Sequence, residues 1–259
     1  MKKLLLLFLA ALIVSGCRTV PVSDRTQLML TTQSYENSAG AEAFAQYKAE
    51  YPESRNQVYK TALARCGRAI AAVSEQDDFQ WEFIVLETNI QNAFCLPGGK
   101  VAVYSGLLDV MKNEAELAAV VSHEAAHAIA RHGGERLSWS YLQHLGALGV
   151  ALGFNDETLT EIYGIGTELG VMLPFSRSNE YEADLIGLIL MAKAGYDPQQ
   201  AVNFWQRFSA GKTVNWVEKV TSTHPCDADR IENLEKHLEP ALELYRQCPD
   251  KKGKGTIFR

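Results

Sequence analysis

The stretch His123-Glu124-Ala125-Ala126-His127 lies within a run from about Asn113 to Arg131 whose apolar spacing predicts a helix. Residues four apart on a helix project from one face, so both imidazoles can reach a single metal ion while Glu124 stands beside metal-bound water. Alanine and valine surround these polar side chains, and burying unpartnered charge is costly. A catalytic metal site therefore explains the motif better than a chance match on a solvated face.

A tetrahedral catalytic zinc site has three protein ligands and one water, so the two histidines need one more protein ligand. His132, five residues after the motif, lies about 140° around the helix and cannot supply it. Further along the chain, Glu180, Asp184 and Gly187 share one face of a predicted helix. Glu182 falls on a face predicted to meet water. We therefore predict that Glu180 is the third ligand. The alternative is that Glu180 is a surface carboxylate near the N-terminal end of its helix, where the helix dipole is positive. Gly187 leaves room for another backbone to approach.

Composition excludes several classes of protein. The chain has 259 residues, of which 47% are apolar and 22% charged, which is typical of a globular protein and not of a disordered or fibrous one. This length buries a full core without help from metals or disulfides, so a bound metal is expected to be functional. The net charge of −6 lacks the excess of basic residues that is typical of nucleic-acid-binding proteins, so no nucleic-acid partner is expected.

The order of predicted elements indicates an α+β fold that is mostly helical, with a small sheet, in one domain over residues 55–250. Apolar spacing predicts a helix over 55–73. Strands are predicted at 81–87, 92–96 and 100–104. Helices follow from 113 onward, with breaks predicted at 133–134, 154–155, 174, 195–198 and 224–225.

The N-terminal residues are typical of an exported lipoprotein. Residues 1–16 combine a lysine pair with a short apolar run, which predicts a signal peptide. The ending Val14-Ser15-Gly16-Cys17 resembles a bacterial lipobox, which implies cleavage before Cys17 and lipidation of that residue. Arg18 after the cysteine favours the outer over the inner membrane by the same resemblance. Polar residues 17–54 are predicted to form a lipidated tether, and 251–259 a disordered basic tail.

Export to the periplasm permits disulfides, and four cysteines besides the lipidation site allow three pairings. They are Cys66, Cys95, Cys226 and Cys248. If 227–247 is one helix, Cys226 and Cys248 lie about 30 Å apart and cannot pair unless Pro240 folds the segment back. Buried thiols are the alternative for the remaining cysteines.

Two glycine-studded apolar stretches, 142–154 and 162–175, are too short or too interrupted by charge to span a membrane. We expect tightly packed core helices. The alternative is a hairpin that faces the membrane or gates the substrate.

Four ordered motifs resemble the zinc endopeptidase family of HtpX and the CAAX prenyl protease. The first two are the metal-binding motifs at 123–127 and 179–184, and the third is Thr223-His224-Pro225 with Arg230-Ile231. The fourth is the stretch 92–99, with Tyr104-Ser105-Gly106 after it. The match covers about residues 55–240 and is similar in particular to the branch that holds soluble periplasmic lipoproteins and the mitochondrial overlapping-activity protease.

This resemblance implies a gluzincin-type domain with one zinc ion per chain, held by His123, His127 and Glu180. Asp184 would orient a ligand histidine. His224 would approach the metal as an oxyanion donor or reversible plug, the alternative being a plain turn histidine. An extended substrate would add as a further strand to an edge strand made of Asn92, Ala93, Phe94, Cys95 and Leu96. The alternative is an ordinary edge strand with no role in substrate binding.

The function expected from this reading is zinc-dependent endopeptidase activity in the bacterial periplasm. Glu124 would act as the general base on the attacking water. Expected partners are unfolded or misfolded envelope polypeptides, together with the membrane through the anchor at Cys17. A noncatalytic lipoprotein chaperone for outer-membrane proteins, built on the same fold, is the alternative, although such a protein would be expected to have lost Glu124.

Overall fold

A computed structural model of the protein describes residues 17–154, 173–210 and 228–253. The N-terminal half of these ranges contains β1 (Cys17–Thr19), β2 (Thr26–Leu28), α1 (Gln33–Glu50), α2 (Gln57–Ala71), β3 (Glu82–Leu86), β4 (Ala93–Leu96) and β5 (Lys100–Tyr104). It continues with α3 (Ser105–Leu108), α4 (Glu114–Ile129), α5 (His132–Phe154), α6 (Leu173–Lys193), α7 (Gln199–Ala210) and α8 (Ala228–Gln247). The predicted α+β class, mostly helical with a small sheet, is confirmed.

The sheet has the strand order β3-β5-β4, with β3 parallel and β4 antiparallel to the central β5. Side chains alternate between its two faces because successive residues of a strand point in opposite directions. Val85 and Val103 join the main core with Leu63 of α2, whereas Leu86 and Tyr104 pack with α1 on the other face. The sheet therefore lies between α1 on one side and α2 with α4 on the other.

Helix α4 lies at the centre of the molecule, and every one of its residues except His127 is buried. It begins at Asn113, whose side chain accepts a hydrogen bond from the backbone of Glu116. Small residues such as Ala118 and Ala119 let neighbouring elements pack around the whole helix. Helix α6 crosses α4 at Gly187, where an added Cβ would lie 3.1 Å from the backbone nitrogen of His123. The close backbone approach predicted at Gly187 is confirmed.

The boundary between α4 and α5 lies earlier than the sequence indicated. The chain turns at Arg131, whose φ of 55° lies in the left-handed region, and α5 begins at His132. The break predicted at residues 133–134 is therefore wrong, because both glycines continue the first turn of α5. The break predicted at 195–198 agrees with the observed end of α6 at Lys193 and the start of α7 at Gln199, whereas the break predicted at 154–155 reaches past the described residues.

The predicted tether over residues 17–54 is wrong, because this segment folds onto the domain. Strands β1 and β2 form a hairpin, and α1 begins at the capping residue Thr32. Phe44 of α1 is 1% exposed against the sheet, and the Leu30 backbone nitrogen donates to Ser138 Oγ at 2.8 Å. Arg131 forms an ion pair with Glu36 at 2.7 Å. A few buried apolar residues and paired charges are enough to hold this polar stretch in place.

Within the described ranges Cys66, Cys95 and Cys248 are free cysteines, whereas Cys226 lies outside those ranges. Helix α8 continues through Pro240, so this proline does not fold the segment back as a bridge from Cys226 to Cys248 would need. Within residues 17–154, 173–210 and 228–253, no helix is long and apolar enough to cross a membrane.

Several predictions about the second half of the chain reach past the described ranges. Most of the apolar stretch 162–175 lies outside them, as does the predicted break at 224–225. Of the predicted tail 251–259, only residues 251–253 are described, and the Lys252 backbone donates to the Gly195 carbonyl at 2.7 Å.

The contact at Gly187 gives a direct test of the fold. Gly187→Ala places a methyl group against the backbone of α4, which has no room to yield, and should lower the free energy of unfolding by about 1–3 kcal/mol. Urea unfolding of the variant measures this change. The matched control is Gly133→Ala, since nothing lies within 4 Å of the added Cβ and alanine favours the helix. Equal stability of the two variants would contradict the packing described for α4 and α6.

Candidate metal centre

Helices α4 and α6 bring three metal-ligating side chains together at their crossing. His123 and His127 project from one face of α4, with their Nε2 atoms 3.2 Å apart. Glu180 of α6 places one carboxylate oxygen 3.4 Å from His123 Nε2 and the other 3.3 Å from His127 Nε2. One ligand atom from each of the three residues lies within 4.8 Å of the others. Two imidazoles and a carboxylate are a donor set that a catalytic zinc site uses.

The charges around this cluster also fit a divalent cation. Glu124, Glu180 and Asp184 are all buried, and Arg230 of α8 is buried beside them. The Arg230 guanidinium lies 2.7 Å from a carboxylate oxygen of Asp184 and 3.0 Å from one of Glu180, so three acidic side chains share one arginine in a region shielded from water. A bound divalent cation would offset these charges, which are costly to bury alone. The residues present therefore fit a metal ion.

Asp184 contacts His123 of the cluster, and Arg230 holds the Asp184 carboxylate. Asp184 Oδ1 lies 3.0 Å from His123 Nδ1, and Arg230 holds the same carboxylate through its Nε at 2.7 Å and an Nη at 2.9 Å. Burial and the Arg230 guanidinium lower the pKa of His123, but hydrogen bonds to Asp184 and Glu180 outweigh them and raise it to about 9. Burial raises the pKa of Asp184, but Arg230 and His123 bring it below its usual value. The carboxylate is therefore ionised at neutral pH.

Arg230 also stacks on an aromatic ring, with its guanidinium carbon 4.3 Å from the centroid of Trp205. The Trp205 ring packs against His123 edge-on at 5.6 Å. The sequence motif contained Arg230 but indicated no role for it. A buried arginine that binds a carboxylate of another helix is visible only once α6 and α8 are packed together.

The prediction that Glu182 meets water is wrong. Glu182 is 6% exposed, and its Oε2 lies 2.9 Å from Nε2 of His132. Its carboxylate also accepts hydrogen bonds from Arg25 and Ser23 of the N-terminal segment. The helix phase predicted for α6 was correct, but the N-terminal segment covers the face that was expected to be solvated.

These contacts change how Glu182 ionises. Burial raises the pKa of Glu182, but its hydrogen bonds to His132, Arg25 and Ser23 outweigh burial and lower it to about 2. The resulting stabilisation is fully present above the ordinary glutamate pKa and is lost as the pH falls from there to about 2. Burial lowers the pKa of His132, and lowers that of His127 well below its usual value.

A cleft of about 430 Å³ opens beside the three ligands. Its lining includes Glu124, His127 and Glu180 on one side and residues 94–97 of strand β4 and the turn after it on the other. Strand β4 lies at the edge of the sheet and pairs with β5 alone among the described strands. Ala93 is buried, whereas Phe94, Cys95 and Leu96 are partly exposed. Burial raises the pKa of the Cys95 thiol.

Three further residues were considered from the sequence: His224, Cys17 and His132. His224 lies outside the described ranges. Cys17 is exposed in β1, at the start of the N-terminal hairpin. The angle by which His132 was excluded as a ligand assumed one continuous helix, whereas α4 ends at Ile129 and His132 begins α5; His132 is not part of the three-residue cluster. Its Nδ1 instead lies 2.7 Å from Nδ1 of His127, on the side away from Glu180.

A buried HExxH helix joined by a carboxylate from a second helix defines the gluzincin class of metallopeptidases. Residues 57–238 match the model of peptidase family M48. The chain belongs to this family, and the predicted resemblance to a family of metalloendopeptidases is confirmed.

Its curated relatives include eukaryotic and bacterial proteases. The chain is 34% identical over 239 residues to the mitochondrial metalloendopeptidase OMA1 of Schizosaccharomyces pombe, covering 89% of this chain and 69% of the relative. It is 38% identical over 183 residues to the OMA1 of Arabidopsis thaliana, covering 70% of this chain but only 36% of that protein. The beta-barrel assembly-enhancing protease of Yersinia pestis is 28% identical over 195 residues, with coverage of 72% and 40% respectively.

Glu180→Gln tests the assignment of the third ligand. The variant keeps the size of the side chain but replaces an anionic ligand by a neutral amide, so we expect zinc to be lost on dialysis against a weak chelator under conditions in which the wild type retains it. Metal content is measured by atomic emission. Glu42→Gln, an exposed substitution on α1, is the control and should bind zinc like the wild type. Full zinc retention by Glu180→Gln would rule out Glu180 as a ligand.

Proposed function

We propose that this protein is a zinc-dependent endopeptidase that hydrolyses unfolded or misassembled proteins of the bacterial cell envelope. The observation that carries the proposal is the arrangement of one cleft. Residues of the edge strand β4 line the same cleft as Glu124 and the ligands His127 and Glu180. A peptide lying along the strand would present its backbone to the candidate metal centre and its neighbouring base.

Zinc suits the donor set better than the other common divalent ions. Two imidazole nitrogens and one carboxylate oxygen are the ligands of many catalytic zinc sites, whereas magnesium and calcium prefer oxygen ligands alone. His123 and His127 of one helix and Glu180 of another would hold the ion, and three protein ligands would leave a fourth position for water or substrate. When bound, zinc lowers the pKa of its water towards about 7 and polarises the substrate carbonyl.

Glu124 performs the proton transfers in the proposed reaction. It follows the ligand His123 directly in the sequence and lines the cleft beside His127. Its carboxylate accepts the proton of the attacking water and returns it to the leaving amine, while Asp184 and Arg230 keep His123 in its orientation. His224 remains a proposed donor to the oxyanion, or a reversible plug of the site.

Substrate recognition by the edge strand explains the breadth of the proposed substrate class. A peptide that adds to β4 as a further strand is held by main-chain hydrogen bonds, which every sequence can form. Only an extended segment fits this mode, so folded proteins are excluded and unfolded ones are accepted. The backbone of residues 93–96 is the part of the sheet at which this pairing would occur.

The envelope location rests on the sequence and on the relatives. The lipobox before Cys17 and the arginine after it favour an outer-membrane lipoprotein facing the periplasm. Among the relatives is the beta-barrel assembly-enhancing protease of Escherichia coli, 27% identical over 161 residues. Its name connects a member of this family with the assembly of barrel proteins. Misassembled envelope proteins are therefore the proposed substrates, and the anchored protein would meet them at the membrane surface.

Replacement of the base tests the catalytic proposal. Glu124→Gln keeps the shape of the side chain but cannot accept a proton, so cleavage of unfolded casein should fall by at least about 10²-fold while zinc stays bound. Casein proteolysis and metal content are measured on the same preparation. The noncatalytic chaperone remains the alternative: it predicts no zinc-dependent cleavage by the wild type and equal suppression of aggregation by both proteins.

Removal of the anchor tests the proposed location. Cys17→Ala should abolish metabolic labelling with a radioactive fatty acid and leave the protein out of the outer-membrane fraction of the cell. Ser15→Ala, two residues earlier in the lipobox, keeps the acceptor cysteine and is the control. Unchanged labelling and fractionation of the Cys17 variant would overturn the proposal that Cys17 is lipidated.

A further inference from the structure

We propose that Glu182 and His132 are positioning residues for the metal ligand His127, and that Arg25 of the N-terminal hairpin holds them in place. The inference rests on the proposed metal site and goes beyond it. It assigns a role at the candidate metal centre to residues that are not ligands and that come from three separate elements. These residues are the hairpin residue Arg25, His132 at the start of α5, and Glu182 of α6.

His127 and His132 contact each other through their Nδ1 atoms, which lie 2.7 Å apart. A hydrogen bond between two ring nitrogens needs one proton, carried by one of them alone. His127 Nε2 faces Glu180 and the candidate metal position, where it must be unprotonated to act as a ligand. A neutral His127 therefore carries its proton on Nδ1 and donates it to Nδ1 of His132.

The other ring nitrogen of His132, Nε2, contacts Glu182. Because its Nδ1 accepts the bond from His127, a neutral His132 carries its proton on Nε2. This atom lies 2.9 Å from Oε2 of Glu182, a carboxylate oxygen that can only accept. One arrangement of protons thus satisfies every bond from Glu182 through His132 to His127. The orientation and the tautomer of the ligand are set by a carboxylate acting through a second imidazole.

Arg25 keeps Glu182 ionised and in place. Arg25 donates from Nε and an Nη to Glu182 Oε2, at 3.0 and 2.8 Å. The same guanidinium binds Glu135 of α5 through two bonds of 2.7 Å. Both carboxylates are buried, so the arginine compensates charges that water does not reach. A bidentate guanidinium between two helices also restricts their relative position.

The two ligand histidines are therefore oriented by different routes. His123 contacts the carboxylate of Asp184 directly, whereas His127 reaches that of Glu182 through His132. The second route ends in the N-terminal segment. Docking of residues 17–28 and binding of the metal are accordingly coupled, and each stabilises the other by the same amount. Loss of the hairpin contact should weaken metal binding without removing a ligand.

The experiment compares zinc dissociation constants of full-length variants, measured by competition with a chromophoric chelator. His132→Phe and Glu182→Gln should each weaken zinc binding about 10- to 100-fold, the range typical of such outer contacts. His132→Asn retains an acceptor for the His127 proton and should recover much of the affinity. Cobalt-substituted protein gives a second readout, since a reoriented His127 changes the visible absorption spectrum of the bound ion.

Glu116→Gln is the matched control for stability. Glu116 is also a buried glutamate paired with an arginine, Arg207, at 2.6 Å, but it lies at the far end of α4 from His127. Unfolding in urea, measured on the metal-free proteins, should show comparable losses of stability in Glu116→Gln and Glu182→Gln. The control should nevertheless keep the zinc affinity and the cobalt spectrum of the wild type.

The outcomes separate this inference from the proposed function. Wild-type zinc affinity and cobalt spectrum in both His132→Phe and Glu182→Gln would overturn the positioning role, as would an equal loss of affinity in Glu116→Gln. If Glu182→Gln does not fold, Arg25→Gln serves in its place, because Arg25 is partly exposed and leaves both positioning residues intact. Failure of the wild-type protein to bind zinc would instead contradict the proposed function itself.

Discussion

The close approach of α4 and α6 at Gly187 is the contact on which the rest of the structure depends. With no side chain at this position, the backbone of α6 lies against the backbone of His123. Glu180 lies seven residues before Gly187, about two helical turns away on the same face, and so reaches the two histidines. A ligand set divided between two helices has a defined geometry only if the helices are held at a fixed distance.

Most ionisable side chains around the crossing of α4 and α6 are buried, and a buried charge requires a partner of opposite charge or a hydrogen bond. Helix α4 is surrounded by other elements, so each ionisable group on it requires a partner from elsewhere. Arg207 provides one for Glu116, Asp184 provides one for His123, and the candidate metal would bind both histidines. Folding and metal binding are consequently linked, since the unfolded chain holds no such arrangement of ligands. The same principle accounts for Arg25, whose guanidinium pairs with two buried carboxylates at the edge of the site.

The N-terminal segment shows how composition can mislead. Its polar character indicated a tether, and residues 17–54 indeed contain few apolar side chains. Yet Val20 and Phe44 are almost completely buried, and specific ion pairs join the segment to α5 and α6. Pairing between charges far apart in the sequence leaves no local periodic signal. The domain therefore begins well before the apolar helix pattern that starts near residue 57, and its N-terminal part reaches the surroundings of His127.

The sequence by itself determined most of the elements between residues 57 and 129 and indicated a metal site. Local periodicity predicted α2, α4 and the three strands of the sheet, and the four-residue spacing of His123 and His127 indicated a metal. Helix phase selected Glu180 as the third ligand. Only the tertiary structure decided that Glu182 is buried and that His132 lies behind His127. The physical reason is that a helix pattern records which residues share a face, whereas burial depends on which distant segment covers that face.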